Sequence, residues 1–360
     1  MVKYTYRQIN NLLQPLAKNT PKSLTIKSFI ELSMKHSTPP KDFLEQRLQN
    51  VFVLIKNISI LFGLGAIISQ LLQISPLLES YPGWNITWGQ GATILVGCAV
   101  LWFGLHKHLK NRLSNWIIMR KHETKPKILL VPFVFVAVVV ILKVALGNTD
   151  DYTQIYSEGG LFEYGTVFAF FIATGIGILI ARCFFQKKQF FLGGAYCFYS
   201  FCFFVVGGEE VSWGQRLFGW QLPEFFEEHN VQGELTLHNL VWLNDYWGDG
   251  IILICALIAL GVLYALIRQK DSPALARKLK YLIPGSYLLS FFGVAMIIYI
   301  LVEIQYATGN LPFAVISTRE QEFAEFLFSM GFLLFATANY FRQGTEYTEQ
   351  SQRFRGNESA

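Results

Sequence analysis

Read from its N-terminus, the chain breaks into uncharged apolar runs of about 20 residues, the length an α-helix needs to cross a bilayer core. Eight such runs lie near 51–74, 87–106, 128–147, 163–185, 190–207, 250–267, 281–302 and 323–341. They predict an all-α fold, a polytopic integral membrane helix bundle with about eight transmembrane helices. Residues 1–50 follow another pattern, in which Pro15, Pro21, Pro39 and Pro40 interrupt short amphipathic stretches and no apolar signal-peptide core occurs. A cytoplasmic amphipathic N-terminal region is expected there, followed by a transmembrane domain over 51–342 and a polar cytoplasmic tail over 343–360.

Composition supports the same class: 52% of the 360 residues are apolar, 15% are charged, and the mean hydropathy is +0.35. A soluble domain carries about 25% charged residues, so an ordinary soluble enzyme and a disordered chain are both excluded. Charge then orients the bundle. Numbering the connections alternately, one side collects 26 of the 30 Lys and Arg, and 17 of the 25 Asp and Glu lie in or beside the connections of the other side. Basic loops stay cytoplasmic during insertion, which predicts a multi-pass protein with both termini in the cytoplasm. Lys143, Arg216 and Arg319 stand on the acidic side, against the trend. The net charge of +5 belongs to loops that meet lipid and is not a nucleic-acid signal. The five cysteines fall in or at the edge of spans without a CxxC pair and read as small core hydrophobes.

One connection stands apart. Between spans five and six, residues 207–250 form a predicted extracytoplasmic loop that holds four of the eight tryptophans together with Glu209, Glu210, Arg216, Glu224, Glu227, Glu228, His229, Glu234, His238 and Asp245. Tryptophan prefers the membrane interface, where an apolar ring keeps its polar edge wet, so a structured loop lying on or re-entering the outer surface is expected. If the fifth span extends by one or two turns, Glu209, Ser212, Trp213 and Arg216 share a face. Pro223 suits the start of a short helix with an apolar side of Leu222, Phe225 and Phe226. Glu234 and His238, four apart, share a face in either a helix or a strand.

Further acids mark the same level: Glu158 and Glu163 at span four, Glu303 at the end of span seven, and Glu320, Glu322 and Glu325 at the start of span eight. Ionisable groups at a bilayer border usually face a bundle interior or a watery cavity. They imply an outward-opening polar chamber walled by the ends of spans four, five, seven and eight, with the long loop folded over it. The candidate catalytic residues are Glu209, Glu210, Glu234, His238, Glu322 and Glu325. Arg216, Trp213, Gln215 and Asn239 are candidate substrate-binding groups. His229, His238, Glu234 and Glu209 are candidate ligands for a divalent Zn, Fe or Mn ion, since two imidazoles with one or two carboxylates suit each. No HExxH, GxSxG, Walker or dinucleotide motif is present. The reading is an integral-membrane enzyme acting at the extracytoplasmic face on a lipid or lipid-linked substrate. Its alternatives are a proton- or cation-coupled transporter or channel, and a non-catalytic assembly or receptor protein.

Overall fold

The computed structural model describes residues 124–146, 160–308 and 320–358, with scattered positions between 49 and 98. The chain divides into one unit of residues 47–343 and another of 1–46 with 344–360; the structure below is that of the former. Among the described residues the structure is helical, without strands; an isolated antiparallel bridge joins Asn230 and Leu240. In chain order the helices are α1 (Thr124–Leu146), α2 (Leu161–Gln186), α3 (Phe190–Glu210), α4 (Gln215–Phe218), α5 (Glu224–His229), α6 (Val241–Asn244), α7 (Trp247–Asp271), α8 (Pro273–Leu282), α9 (Leu289–Thr308) and α10 (Gln321–Glu358).

Among the described residues, six segments are long and apolar enough to cross a membrane: Lys127–Ala145, Leu161–Gln186, Phe190–Glu210, Val241–Arg268, Lys278–Thr308 and Gln321–Gln343. They correspond to predicted spans three to eight. Most of span one and almost all of span two lie outside the described residues. The surface of these helices suits a bilayer. On α7 alone, Leu253, Ile254, Leu257, Leu260, Leu263, Leu266 and Ile267 are exposed. At roughly 1 kcal/mol for each half-exposed aliphatic side chain, holding them in water forfeits several kcal/mol, a large part of an ordinary domain's stability.

The core forms where aromatic side chains meet between helices. Phe184 of α2 packs edge-on against Tyr281 of α8 at 5.1 Å, and Phe292 of α9 meets Phe328 and Phe332 of α10 the same way. In the α2–α3 hairpin the helices approach closely at Gly177, where an added Cβ would clash with Ser200 Oγ; the missing side chain lets the backbones approach.

Side-chain bonds define two ends of this bundle. At one end the last carbonyls of α8 are capped by phenols, Tyr196 donating to Tyr281 O at 2.8 Å and Tyr199 to Leu282 O at 3.0 Å, which satisfies acceptors that a helix terminus leaves open. Lys187, Lys188, Arg268, Lys278 and Lys280 cluster in sequence about that end. At the other, Lys143 near the end of α1 meets Glu320, just before α10, at 2.6 Å, with both side chains largely buried. This pair accounts for the out-of-place Lys143: it neutralises a buried carboxylate. Arg319, which precedes Glu320 in the chain, lies outside the described residues.

Candidate functional site

At the Lys143–Glu320 end, a cavity of about 540 Å³ lies where α2, α7 and α10 begin and where α3 and α9 end. Its wall carries eight carboxylates, from Glu163, Glu209, Glu210, Glu234, Asp245, Glu303, Glu322 and Glu325, and the imidazole of His238. No lysine or arginine lines it among the described residues. Such a concentration of negative charge is partly supported by the fold. The positive ends of three helix dipoles bear on this region, with Glu163, Asp249 and Glu322 in the first turns of α2, α7 and α10.

Five of these carboxylates fall into two groups by their surroundings. Glu209 is buried and serves the 207–250 connection. It accepts from Trp213 Nε1 at 2.7 Å, from the backbone N–H groups of Leu237 and His238, and faces His238 Nδ1 at 3.4 Å. Glu234 accepts from Ser212 Oγ at 2.7 Å. These bonds draw residues 234–238 onto the end of α3. Asn230 completes the fold of the connection: its side chain donates to Thr236 O at 2.9 Å and accepts the N–H groups of Gln232 and Glu234. Val231 N donates to Asn239 O at 2.8 Å beside the bridge to Leu240.

The second group is Glu210, Glu322 and Glu325. Each offers an oxygen, and the three oxygens lie within 4.8 Å of one another. Glu322 and Glu325 are brought together by their three-residue spacing on α10, and Glu210 reaches them as the last residue of α3. Glu325 is held by three donors that converge on Oε1: Tyr299 Oη, Trp247 Nε1 at 3.3 Å and Gln321 Nε2 at 3.4 Å. Ligand oxygens around one cation at 2.0–2.6 Å stand no more than about 5 Å apart, so this triangle has the size of a cation shell. Without a cation, three full charges at this spacing repel by about 3 kcal/mol per pair at an effective dielectric of 20.

Two local expectations change. The helix through Glu209 does not extend past Glu210, because Ser212, Trp213 and Gly214 all take left-handed backbone, with φ of 48°, 52° and 84°. Non-glycine residues in that region cost of order 1 kcal/mol or more each and persist where surroundings fix them. Here Ser212 is fixed on Glu234 and Trp213 on Glu209, with the Trp213 ring lying over Gly208, where an added Cβ would fall 2.8 Å from it. The second change concerns Glu234 and His238. Residues 231–239 form turns and bends, so the four-residue spacing does not pair them; His238 meets Glu209 and stacks on Trp247 at 4.9 Å.

Glu209, Glu210, Glu234, His238, Asn239, Glu322 and Glu325 therefore line one cavity. Trp213 braces Glu209, and Gln215 accepts from Leu235 N through its side chain; neither lines the cavity. His229 lies apart, stacked on Phe225 at 5.0 Å and edge-on to Trp242 at 5.6 Å, with Nδ1 3.0 Å from Phe225 O. The side chain of Arg216 is outside the described residues. Tyr299, the buried donor to Glu325, was not selected from the sequence. Its signal was available: a tyrosine inside an apolar span, one turn before Glu303.

Compared with family models, curated proteins and solved structures, the chain matches none.

Proposed function

We propose that the chain is a divalent-metal-dependent integral-membrane enzyme acting on a lipid or lipid-linked substrate from the extracytoplasmic side. The observation that carries this reading is the Glu210–Glu322–Glu325 triangle within a cavity whose described wall holds eight carboxylates and no lysine or arginine. A cation removes the mutual repulsion of the three charges, and an all-oxygen ligand set suits a hard ion such as Mn²⁺ or Mg²⁺ better than the mixed imidazole set considered from spacing. Such an ion supplies a polarised substrate oxygen or an activated water. His238, oriented by Glu209 and exposed by about a fifth, is the group placed to carry a proton. Among the described residues the wall is acidic and repels an anionic head group, so a phosphate-bearing lipid would be held there through the metal.

Localisation follows from charge. The acidic cavity occupies the end where predicted loops are poor in Lys and Arg, and the basic residues gather about the α8 end, which supports cytoplasmic termini. The transporter reading receives less support. One and two turns beyond Glu325 on α10, Phe328 and Phe332 pack against each other at 4.9 Å, and Phe332 packs against Phe203 at 5.1 Å. Apolar rings thus follow the acids where a cation path would need further polar steps.

The test is metal titration of the full-length protein in nanodiscs, with Mn²⁺ followed by its EPR signal. Saturable binding near one ion per chain, lost in Glu210→Gln/Glu322→Gln, is the expected result. No saturable binding of Mn²⁺, Mg²⁺ or Zn²⁺ would remove the metal from the proposal.

A further inference from the structure

The 207–250 connection is two-faced along its own sequence. Thr236 is buried, Leu237 is 49% exposed, and His238 and Asn239 turn to the cavity; next, Val241, Trp242 and Leu243 are exposed, Asn244 and Asp245 line the cavity, and Tyr246 is 67% exposed before Trp247 returns to it. The cavity wall is thus a thin shell, polar inside and apolar outside. Helix α5 divides in the same sense, with Glu224, Glu227 and Glu228 on one side and Phe225 with His229 on the other, the latter two against Trp242. Phe218 and Trp220, both exposed, stack at 5.1 Å and add to the apolar surface of the same connection. In the chain this face leads into the exposed aliphatic stripe of α7, since Trp242, Leu243 and Tyr246 precede Leu253 and Leu257 within the one candidate span Val241–Arg268.

We infer that the outer face of this shell, centred on Trp220, Phe225, Trp242 and Tyr246, is seated in the boundary between head groups and acyl chains of one leaflet, which places the acidic cavity at head-group level within reach of an amphiphile that stays in the membrane. Continuity with the lipid-facing side of α7 identifies the occupant, because a surface that carries on from a bilayer-immersed stripe meets the same solvent. Ring chemistry agrees: tryptophan and tyrosine combine an apolar body with one polar edge and favour this depth. The three glutamates of α5, on its other side, remain toward water. This inference rests on the membrane reading and is independent of the metal.

The experiment uses the full chain labelled with 5-fluorotryptophan in nanodiscs, its eight ¹⁹F resonances assigned by Trp220→Phe and Trp242→Phe, or by Trp→Tyr at either position if a phenylalanine variant misfolds. Lipid carrying a nitroxide near the carbonyl and a water-soluble gadolinium chelate are added separately. The expected result is stronger broadening of the Trp220 and Trp242 resonances by the lipid nitroxide than by the chelate. Stronger broadening by the chelate would put the shell in water. Protection from both would mean that protein, such as a second copy of the chain, covers it. Either result overturns the inference. Mn²⁺ binding is measured on the same sample and decides the metal proposal separately.

Discussion

Two buried tyrosines allow a direct test of the proposed cation site. Tyr299 and Tyr196 are each 1% exposed, and each donates its hydroxyl to a protein acceptor. Tyr299 donates to Glu325 in the acidic triangle, whereas Tyr196 donates to Tyr281 O at the capped end of α8. Replacing either by Phe removes one oxygen and leaves packing almost unchanged. A lost hydrogen bond to a neutral carbonyl costs about 1 kcal/mol and one to a charged group about 1.5–3 kcal/mol, so both variants should fold with modest loss of stability. Their response to metal should differ. A group that orients a metal ligand contributes about 10–100-fold to affinity. With Mn²⁺ at 100 times the wild-type Kd, binding stabilises the wild type by about 2.7 kcal/mol, a tenfold weaker variant by about 1.4 and a hundredfold weaker one by about 0.4. Thermal unfolding in nanodiscs with and without Mn²⁺ reads this directly: the metal-induced rise in Tm should shrink by half or more in Tyr299→Phe and remain whole in Tyr196→Phe. Equal rises in the two variants would refute the assignment of Glu325 and its donors to a cation site.

Three other outcomes follow from the same geometry. His229→Ala, which removes an imidazole from the outer aromatic cluster, should leave Mn²⁺ affinity within twofold of wild type by EPR titration, whereas Glu325→Gln should reduce it at least tenfold. Lys143→Met leaves Glu320 buried beside α1 without its ammonium partner and should lower stability by about 3 kcal/mol, read as a fall in Tm that Lys143→Met/Glu320→Leu largely restores. Gly208→Ala puts a methyl 2.8 Å from the Trp213 ring; the ring must move from Glu209, which should appear as a shift in one assigned ¹⁹F tryptophan resonance.

Spans three to eight were legible because a bilayer imposes one length and one polarity on each crossing helix, and their observed bounds agree with the apolar runs to within a few residues, except that the sixth begins earlier, at Val241. The gathering of Glu163, Glu210, Glu303, Glu322 and Glu325 was legible for a related reason: antiparallel spans bring every second end to one level, so acids at those ends become neighbours whatever the packing. The interior of the 207–250 connection was not legible. Its fold depends on single side chains reaching backbone groups, such as Asn230 to residues 232, 234 and 236 and Glu209 to residues 237 and 238, and no periodicity records such bonds. A run of left-handed residues at Ser212 and Trp213 also has no pattern signal, since neither residue type favours it.

The acids at this end divide according to what engages them. Glu209 and Glu234 take donors from residues 212–213 and 237–238 and thereby hold the connection on the end of α3, and Glu320 meets Lys143. Charges already matched in this way have little to gain from a metal. Glu210, Glu322 and Glu325 differ in that they approach one another, and a cation among them, like a shared proton, relieves their repulsion. Glu325 has its donors gathered on Oε1, an arrangement that fixes the carboxylate and leaves Oε2 with no hydrogen bond among the described residues. Architecture and proposed chemistry thus use adjacent members of one Glu209–Glu210 pair. Glu209→Gln, which can keep the Leu237 and His238 bonds through its carbonyl oxygen, should preserve much of the fold and the Mn²⁺ affinity, while Glu210→Gln should preserve the fold and weaken Mn²⁺ binding at least tenfold. If the two variants bound Mn²⁺ alike, that division of roles would be wrong.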